Sequence, residues 1–184
     1  RMVVSRHFQR PPAADQFAGG AVPWRVNPDL SGGGFFFEGA CHTLDFLDFL
    51  LGRIVDVRAL AGNQAGAYRP EDVVSATYRF ASGAFGSGAW CYTADFDEEC
   101  NEIVGARGRI RFSTTQPVPI RIFRGETIEE IPVADPEHVH QPLIQTIVDE
   151  LNGRGKCPTT GESAARTARV MEAILSEFSA QARA

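Results

Sequence analysis

Apolar and polar positions alternate strictly in DVVSATYRF (72–80): Val74, Ala76, Tyr78 and Phe80 point one way, and Val73, Ser75, Thr77 and Arg79 the other. That period of two predicts a strand with one buried face. Runs of similar character follow or precede it in IVDVRALAG (54–62), AFGSGAWCYT (84–93), EECNEIVGA (98–106) and RIRFS (109–113), with weaker strands in PIRIF and TIEEIPV on either side of RGE at 124–126. Several are joined by tight glycine turns, such as ASGA at 81–84 and ARG before Arg109. RMVVSRHF at the start reads as a further short strand, and RPPAADQFAGGAVP after it as a loop. The pattern changes to a helical period in three places. One helix is expected over 38–51, with Gly52 as its C-cap. A second lies in QPLIQTIVDELNG, with Leu143, Ile144, Ile147, Val148 and Leu151 on one side. The third runs through ARTARVMEAILSEF after PTTGE, where Thr159 and Glu162 could form a capping box.

Consecutive strands with hairpin-length turns, one helix before most of them and two after, predict an α+β domain. Its architecture is an open-faced, largely antiparallel β-sheet with helices on one face, and one domain spans residues 1–184. In AFGSGAWCYT neither face is strongly polar: Trp90 and Tyr92 share one side, Phe85, Ala89 and Cys91 the other. The sheet face away from the helices is therefore expected to serve as a homo-oligomer interface.

At 184 residues and 43% hydrophobic, the chain can bury a single core. A net charge of −5 with scattered arginines excludes a nucleic-acid footprint or a polybasic membrane anchor. No apolar run approaches the roughly 20 residues of a membrane span. The first residues lack a signal-peptide pattern, and the absence of Met at position 1 suggests a piece of a longer protein. Cys41, Cys91, Cys100 and Cys157 form no CxxC pair or zinc-ribbon spacing, so reduced thiols and a cytoplasmic location are expected. Lys156 is the only lysine, in a Gly-rich stretch between two predicted helices, so no buried lysine base is at hand. There is also no GxGxxG and no GxxxxGK[ST], which argues against dinucleotide binding by this chain alone.

The densest chemistry lies in SGGGFFFEGACHTLDFLDFLLG (31–52). On a helix, Glu38, His42 and Asp45 fall at i, i+4 and i+7 and share a face. A carboxylate one turn before a histidine can orient the imidazole for acid–base work. The glycines before the helix, Gly33 and Gly34 in particular, could let backbone approach a ligand and leave helix N–H groups free to donate. Three other readings stay open at this point. The face could be a solvated polar stripe. Glu38, His42 and Asp45 could ligate a metal, with His138 or His140 joining them. A Cys41–His42 nucleophile pair is disfavoured, because adjacent residues on a helix point apart.

WRVNPDLSGGGFFFEGACHTLDFLDFLLG (24–52) resembles the signature of the glucose–fructose oxidoreductase, inositol dehydrogenase and rhizopine-catabolism (Gfo/Idh/MocA) family: W-R, then GGG, an aspartate, G-x-H-x-x-D and an apolar helix ending L-G. EIVGARGRIRF, EHVHQPLIQTIVDELNGRGKCP and TTGESAARTARVMEAILSEF are similar to later parts of its second domain, in order. The resemblance implies the substrate-binding and catalytic-support domain of an oxidoreductase that moves hydride between NAD or NADP and a sugar, inositol or related polyol. It implies as partner an N-terminal Rossmann domain, absent from this chain, that holds the nucleotide and carries a catalytic lysine. The present residues alone are then expected to bind no NAD(P) and to be inactive. Carried over by position, His42 matches the family's histidine, a general acid/base on the substrate hydroxyl, with Glu38 where the family has aspartate. Trp24, Arg25 and Asp45 match substrate-site positions, and Gly33 and Gly34 the cofactor-facing glycines. No metal ligand is implied. Glu38 for Asp lengthens the carboxylate by one methylene, and Ala40 replaces the usual glycine. A non-catalytic binding or assembly domain of the same fold, and a metal-dependent enzyme, are the alternatives.

Overall fold

The computed structural model describes residues 1–181. Eight strands form one sheet: β1 (Met2–Phe8), β2 (Ile54–Gly62), β3 (Val73–Phe80), β4 (Phe85–Cys91), β5 (Glu98–Gly105), β6 (Gly108–Phe112), β7 (Ile120–Arg124) and β8 (Thr127–Ile131). Their order across the sheet is β2-β3-β4-β1-β5-β6-β7-β8. Every neighbouring pair is antiparallel except β1 with β4, which run parallel from Met2↔Phe85 to Phe8↔Cys91. The expected open, largely antiparallel sheet is therefore present. Its parallel pair arises because the first strand inserts between β4 and β5, a long-range choice that no local pattern encodes.

Among the described residues, two 3-10 segments (Ala14–Gly20 and Trp24–Val26) and four α-helical ones complete the fold: the single turn α1 (Pro28–Ser31), α2 (Phe35–Leu51), α3 (Gln141–Leu151) and α4 (Gly161–Gln181). In α2 the buried residues are Phe36, Ala40, Thr43, Leu44 and Leu47, a helical period on one side. They pack with Val74, Ala76, Tyr78 and Phe80 of β3, Trp90 of β4 and Met171 and Ile174 of α4 in a single core. The inward set in β3 is the one its alternation predicts. Phe36 meets Trp90 edge-on at 5.0 Å between ring centroids, and burial of side chains of this size contributes about 1.5–3 kcal/mol each. Ala40 is fully buried in this core, so its extra methyl serves packing. Gly52 ends α2 at φ +88°, with its N–H bonded to the Asp48 carbonyl at 3.0 Å, as expected of a C-cap.

Two local expectations shift. Helix α2 begins at Phe35, three residues before the expected start, with Gly34 as its N-cap. The box that opens α4 is also displaced by one residue from Thr159 and Glu162. The Thr160 hydroxyl accepts from the Ser163 N–H at 3.2 Å, and the Ser163 hydroxyl accepts from the Thr160 N–H at 2.9 Å. Serine can return the bond as glutamate does, and it sits at the third helical position after Thr160. Helix α3 has the predicted period but buries no residue, and Leu143, Ile144, Ile147, Val148 and Leu151 are all exposed. The helices that cover the sheet are α2 and α4.

Candidate active site

The polar face of α2 lies opposite its buried stripe. Glu38 and Asp45 are half-buried and His42 is exposed, so the three residues share the face that their spacing predicts. Their partners differ from a simple carboxylate–imidazole unit. The Oε1 of Glu38 accepts from Nε of Arg25 at 2.9 Å. Asp45 turns toward α4, where its Oδ1 accepts from the Thr167 hydroxyl at 3.2 Å. One turn on, Arg166 of α4 donates to Asp48 at 2.6 Å and 3.4 Å, which ties the two helices side by side. Cys41 donates to the Glu38 carbonyl at 3.0 Å, and burial pushes its thiol pKa up, which removes the character a nucleophile needs. Among the described residues no group of three or more His, Cys, Asp or Glu is placed to share a metal ion. His138 and His140 lie exposed before α3.

Arg25 joins this face to the chain that precedes it. Trp24–Val26 form a single tight helical turn, and the Arg25 guanidinium lies 5.2 Å from the Trp24 ring centroid. Trp24, Arg25 and Phe35 line an open cavity of about 690 Å³ with Gln9, Arg10 and Gln16. Its walls mix aromatic surface with guanidinium and amide donors, a combination suited to a small polar ligand. The sequence-predicted pair Trp24 and Arg25 thus meets Glu38, and through it the helix that carries His42.

Gly33 and Gly34 are used inside the chain. A Cβ at Gly33 would fall 2.5 Å from Cβ of Phe37, and one at Gly34 would fall 2.5 Å from Cβ of Pro70. Gly33 makes room for Phe37 of α2, and Gly34 lets the start of the helix dock against Pro70 and Glu71.

Sequence reasoning missed a second set of groups under the same helix. The loop between β2 and β3 is knit by Asp72, which accepts from the N–H groups of Gln64 (2.7 Å) and Ala65 (2.8 Å), and by Asn63, which donates to the Pro70 carbonyl at 2.7 Å. That loop holds Tyr68 and Glu71 in the interior. Burial pushes the Glu71 carboxyl up to about 7, with Asp72 adding to the shift and the residue's own N–H opposing it. Tyr68 and Tyr92 are raised as well, first by burial. The adjacent EDVV lies next to a strand pattern, and nothing in that pattern says that its first carboxylate turns inward.

A family model for the GFO/IDH/MocA C-terminal domain matches residues 1–111, and the chain belongs to this family. Oxidoreductase P35 of Formosa agariphila is 30% identical over 151 residues, which cover 82% of this chain and 46% of that protein. Among solved structures, the aldose–aldose oxidoreductase of Caulobacter crescentus, complexed with glycerol, superposes with a TM-score of 0.77 at 21% identity, over 95% of this chain and 52% of that one. Levoglucosan dehydrogenase in complex with NADH and levoglucosan gives 0.78 at 18% identity, over 95% and 55%. The WlbA dehydrogenase of Bordetella pertussis, in complex with NADH and UDP-GlcNAcA, gives 0.69 at 26%, over 94% and 50%. This chain spans about half the length of each of these relatives. No helix among the described residues is long and apolar enough to cross a membrane.

Proposed function

We propose that this chain is the substrate-binding and catalytic-support half of an NAD(P)-dependent oxidoreductase acting on a sugar or related polyol. The observation that carries the reading is the Arg25–Glu38 pair at 2.9 Å, which connects the wall of the 690 Å³ cavity to the helix face of His42. In this reading Arg25 and Trp24 bind and orient the substrate, the guanidinium by hydrogen bonds and the indole by stacking on a sugar-like ring. Glu38, held by Arg25, keeps that guanidinium in place and presents its remaining oxygen to the site. His42 is free on the same face to take or return the proton of the substrate hydroxyl. Asp45, bonded to Thr167, fixes the helix against α4 and so fixes where His42 stands. The nicotinamide, held by another part of the enzyme, would supply the hydride exchange. The names of the structural neighbours, which bind glycerol, levoglucosan or a nucleotide sugar, support a polyhydroxylated substrate.

The sheet face away from α2 and α4 supports assembly into a homo-oligomer. It joins exposed Leu60, Phe85 and Met2 to a row of charges in which Glu102 pairs with Arg109 and Arg111, and Arg121 with Glu130. Four free cysteines support a reducing, cytoplasmic setting. The test of the catalytic reading is His42→Ala in the full-length protein, assayed with NAD and NADP over a panel of sugars and polyols. Turnover is expected to fall about 10²–10⁴-fold with nucleotide affinity within twofold of the parent, and unchanged turnover would refute the assignment.

A further inference from the structure

Three buried polar atoms beneath the first turns of α2 have no hydrogen-bond partner among the described residues: the Tyr68 hydroxyl, Oε1 of Glu71 and the Tyr92 hydroxyl. Their residues are 8%, 3% and 1% exposed. Their residues gather around Phe35 and the first turns of α2. The Phe35 ring stacks on Tyr92 at 5.4 Å and meets Tyr68 edge-on at 6.1 Å. A Cβ at Gly34 would lie 3.5 Å from Oε1 of Glu71, and one at Gly39 would lie 3.7 Å from the Tyr92 hydroxyl. The charge of Glu71 raises both phenols, and Glu38 and Cys41 on α2 also act on Tyr92.

Buried donors and acceptors left unpaired are costly, and proteins satisfy them with ordered water when direct partners are out of reach. A buried water makes about three hydrogen bonds to such groups. Two phenols and a carboxyl supply that number, with both donors and acceptors among them.

We propose that Tyr68, Glu71 and Tyr92 hold a buried water beneath α2, and that this cluster, with the proton it shares, positions the helix face bearing Glu38 and His42. Glu71 and Tyr92 are then positioning residues. The water and its proton stand on the orphaned atoms alone, whereas their effect on turnover rests on the function proposed for the site. The titratable groups around the cluster are Asp72, which acts on Glu71 and Tyr68, Cys91, which acts on Tyr68, Glu38 and Cys41 of α2, which act on Tyr92, and His7 of β1, whose ring lies 5.7 Å from that of Tyr92. Arg69, the nearest cation along the chain, is engaged by Asp29 at 2.5 Å. From α4, Leu175, Phe178 and Ser179 approach and bring no charge.

Carboxyl carbon NMR of the full-length protein labelled at glutamate tests the site. A signal missing in Glu71→Gln is assigned to Glu71 and should titrate near neutrality. Tyr92→Phe and Tyr68→Phe should each raise that midpoint by about half a pH unit or more, since each removes a donor that favours the carboxylate through the water, and each should lower the melting temperature. An unmoved midpoint with an equal or higher melting temperature in both variants overturns the proposal, because the phenols are then simply unpaired. Should Glu71→Gln fail to fold, Glu71→Asp, which also removes the labelled glutamate, supplies the assignment that the two phenylalanine variants then read. In the active enzyme, Glu71→Gln should change the pH dependence of kcat near neutrality while KM stays within about twofold. A pH profile unaltered by that change overturns the positioning role, and the NMR result stands whether or not the protein proves to be a dehydrogenase.

Discussion

Replacing Glu71 by Gln removes an interior carboxyl whose protonation differs strongly between folded and unfolded chain. In the fold its pKa is pushed up to about 7, against an ordinary 4.5. The folded state therefore holds this proton more tightly. Its contribution to stability is fully present below pH 4.5 and is lost as pH rises through 7. At 1.36 kcal/mol per pKa unit, a shift of this size corresponds to about 3 kcal/mol when both states are ionised. Between pH 5 and pH 8 the change is about 2–3 kcal/mol, because part of the shift is already expressed at pH 5. Glutamine keeps the size and the hydrogen-bonding shape without the charge. Urea unfolding of the parent and of Glu71→Gln at pH 5, 6, 7 and 8 isolates this effect, since every other titrating group is common to the two. The parent should lose about 2–3 kcal/mol relative to the variant across that range. Parallel pH dependences in the two proteins would show that Glu71 is solvated or paired, and the interior cluster would fall with it.

Leu44, 1% exposed at the centre of the core, should cost about 2–5 kcal/mol when changed to Ala, and a urea midpoint shift equivalent to less than about 1 kcal/mol would contradict the packing described. Gly34→Ala forces a Cβ to within 2.5 Å of Pro70 and should cost about 1–3 kcal/mol. Gly62→Ala, where nothing lies within 4 Å, is the control and should leave the melting temperature nearly unchanged. Thr160→Val removes the acceptor that opens α4 and should lower stability by about 1 kcal/mol, while the same change at Thr159 should be close to neutral.

The strands were legible because each carries its own record of burial. Val74, Ala76, Tyr78 and Phe80 must all be apolar if one face of β3 is to meet α2, and a period of two registers that locally. The same holds for the polar face of α2, since 38, 42 and 45 align on any helix. The parallel position of β1 was not legible, because MVVSRHF has the same alternation whichever strands flank it. The side-chain pairings were hidden for a related reason. Glu38 could face His42 or Arg25 from the sequence, and the turn at Trp24–Val26 decides for Arg25. Glu71 was the largest omission. A carboxylate beside a strand is usually solvated, and only the closure of the 63–72 loop by Asn63 and Asp72 turns it inward.

The place of β1 bears on how the molecule is put together. It is the sole bridge between β2-β3-β4 on one side and β5-β6-β7-β8 on the other. Both of its neighbours lie far along the chain, so β1 finds its seat only through long-range pairings, a topology of slow assembly. Until it is seated, β4 and β5 each present an open edge to any extended chain nearby. Deleting residues 2–8 would keep α2, the Arg25–Glu38 pair and every other strand, yet it would leave two half-sheets with exposed seams. Residues 1–8 line no part of the cavity beside Arg25, yet they close the seam that makes the eight strands one sheet.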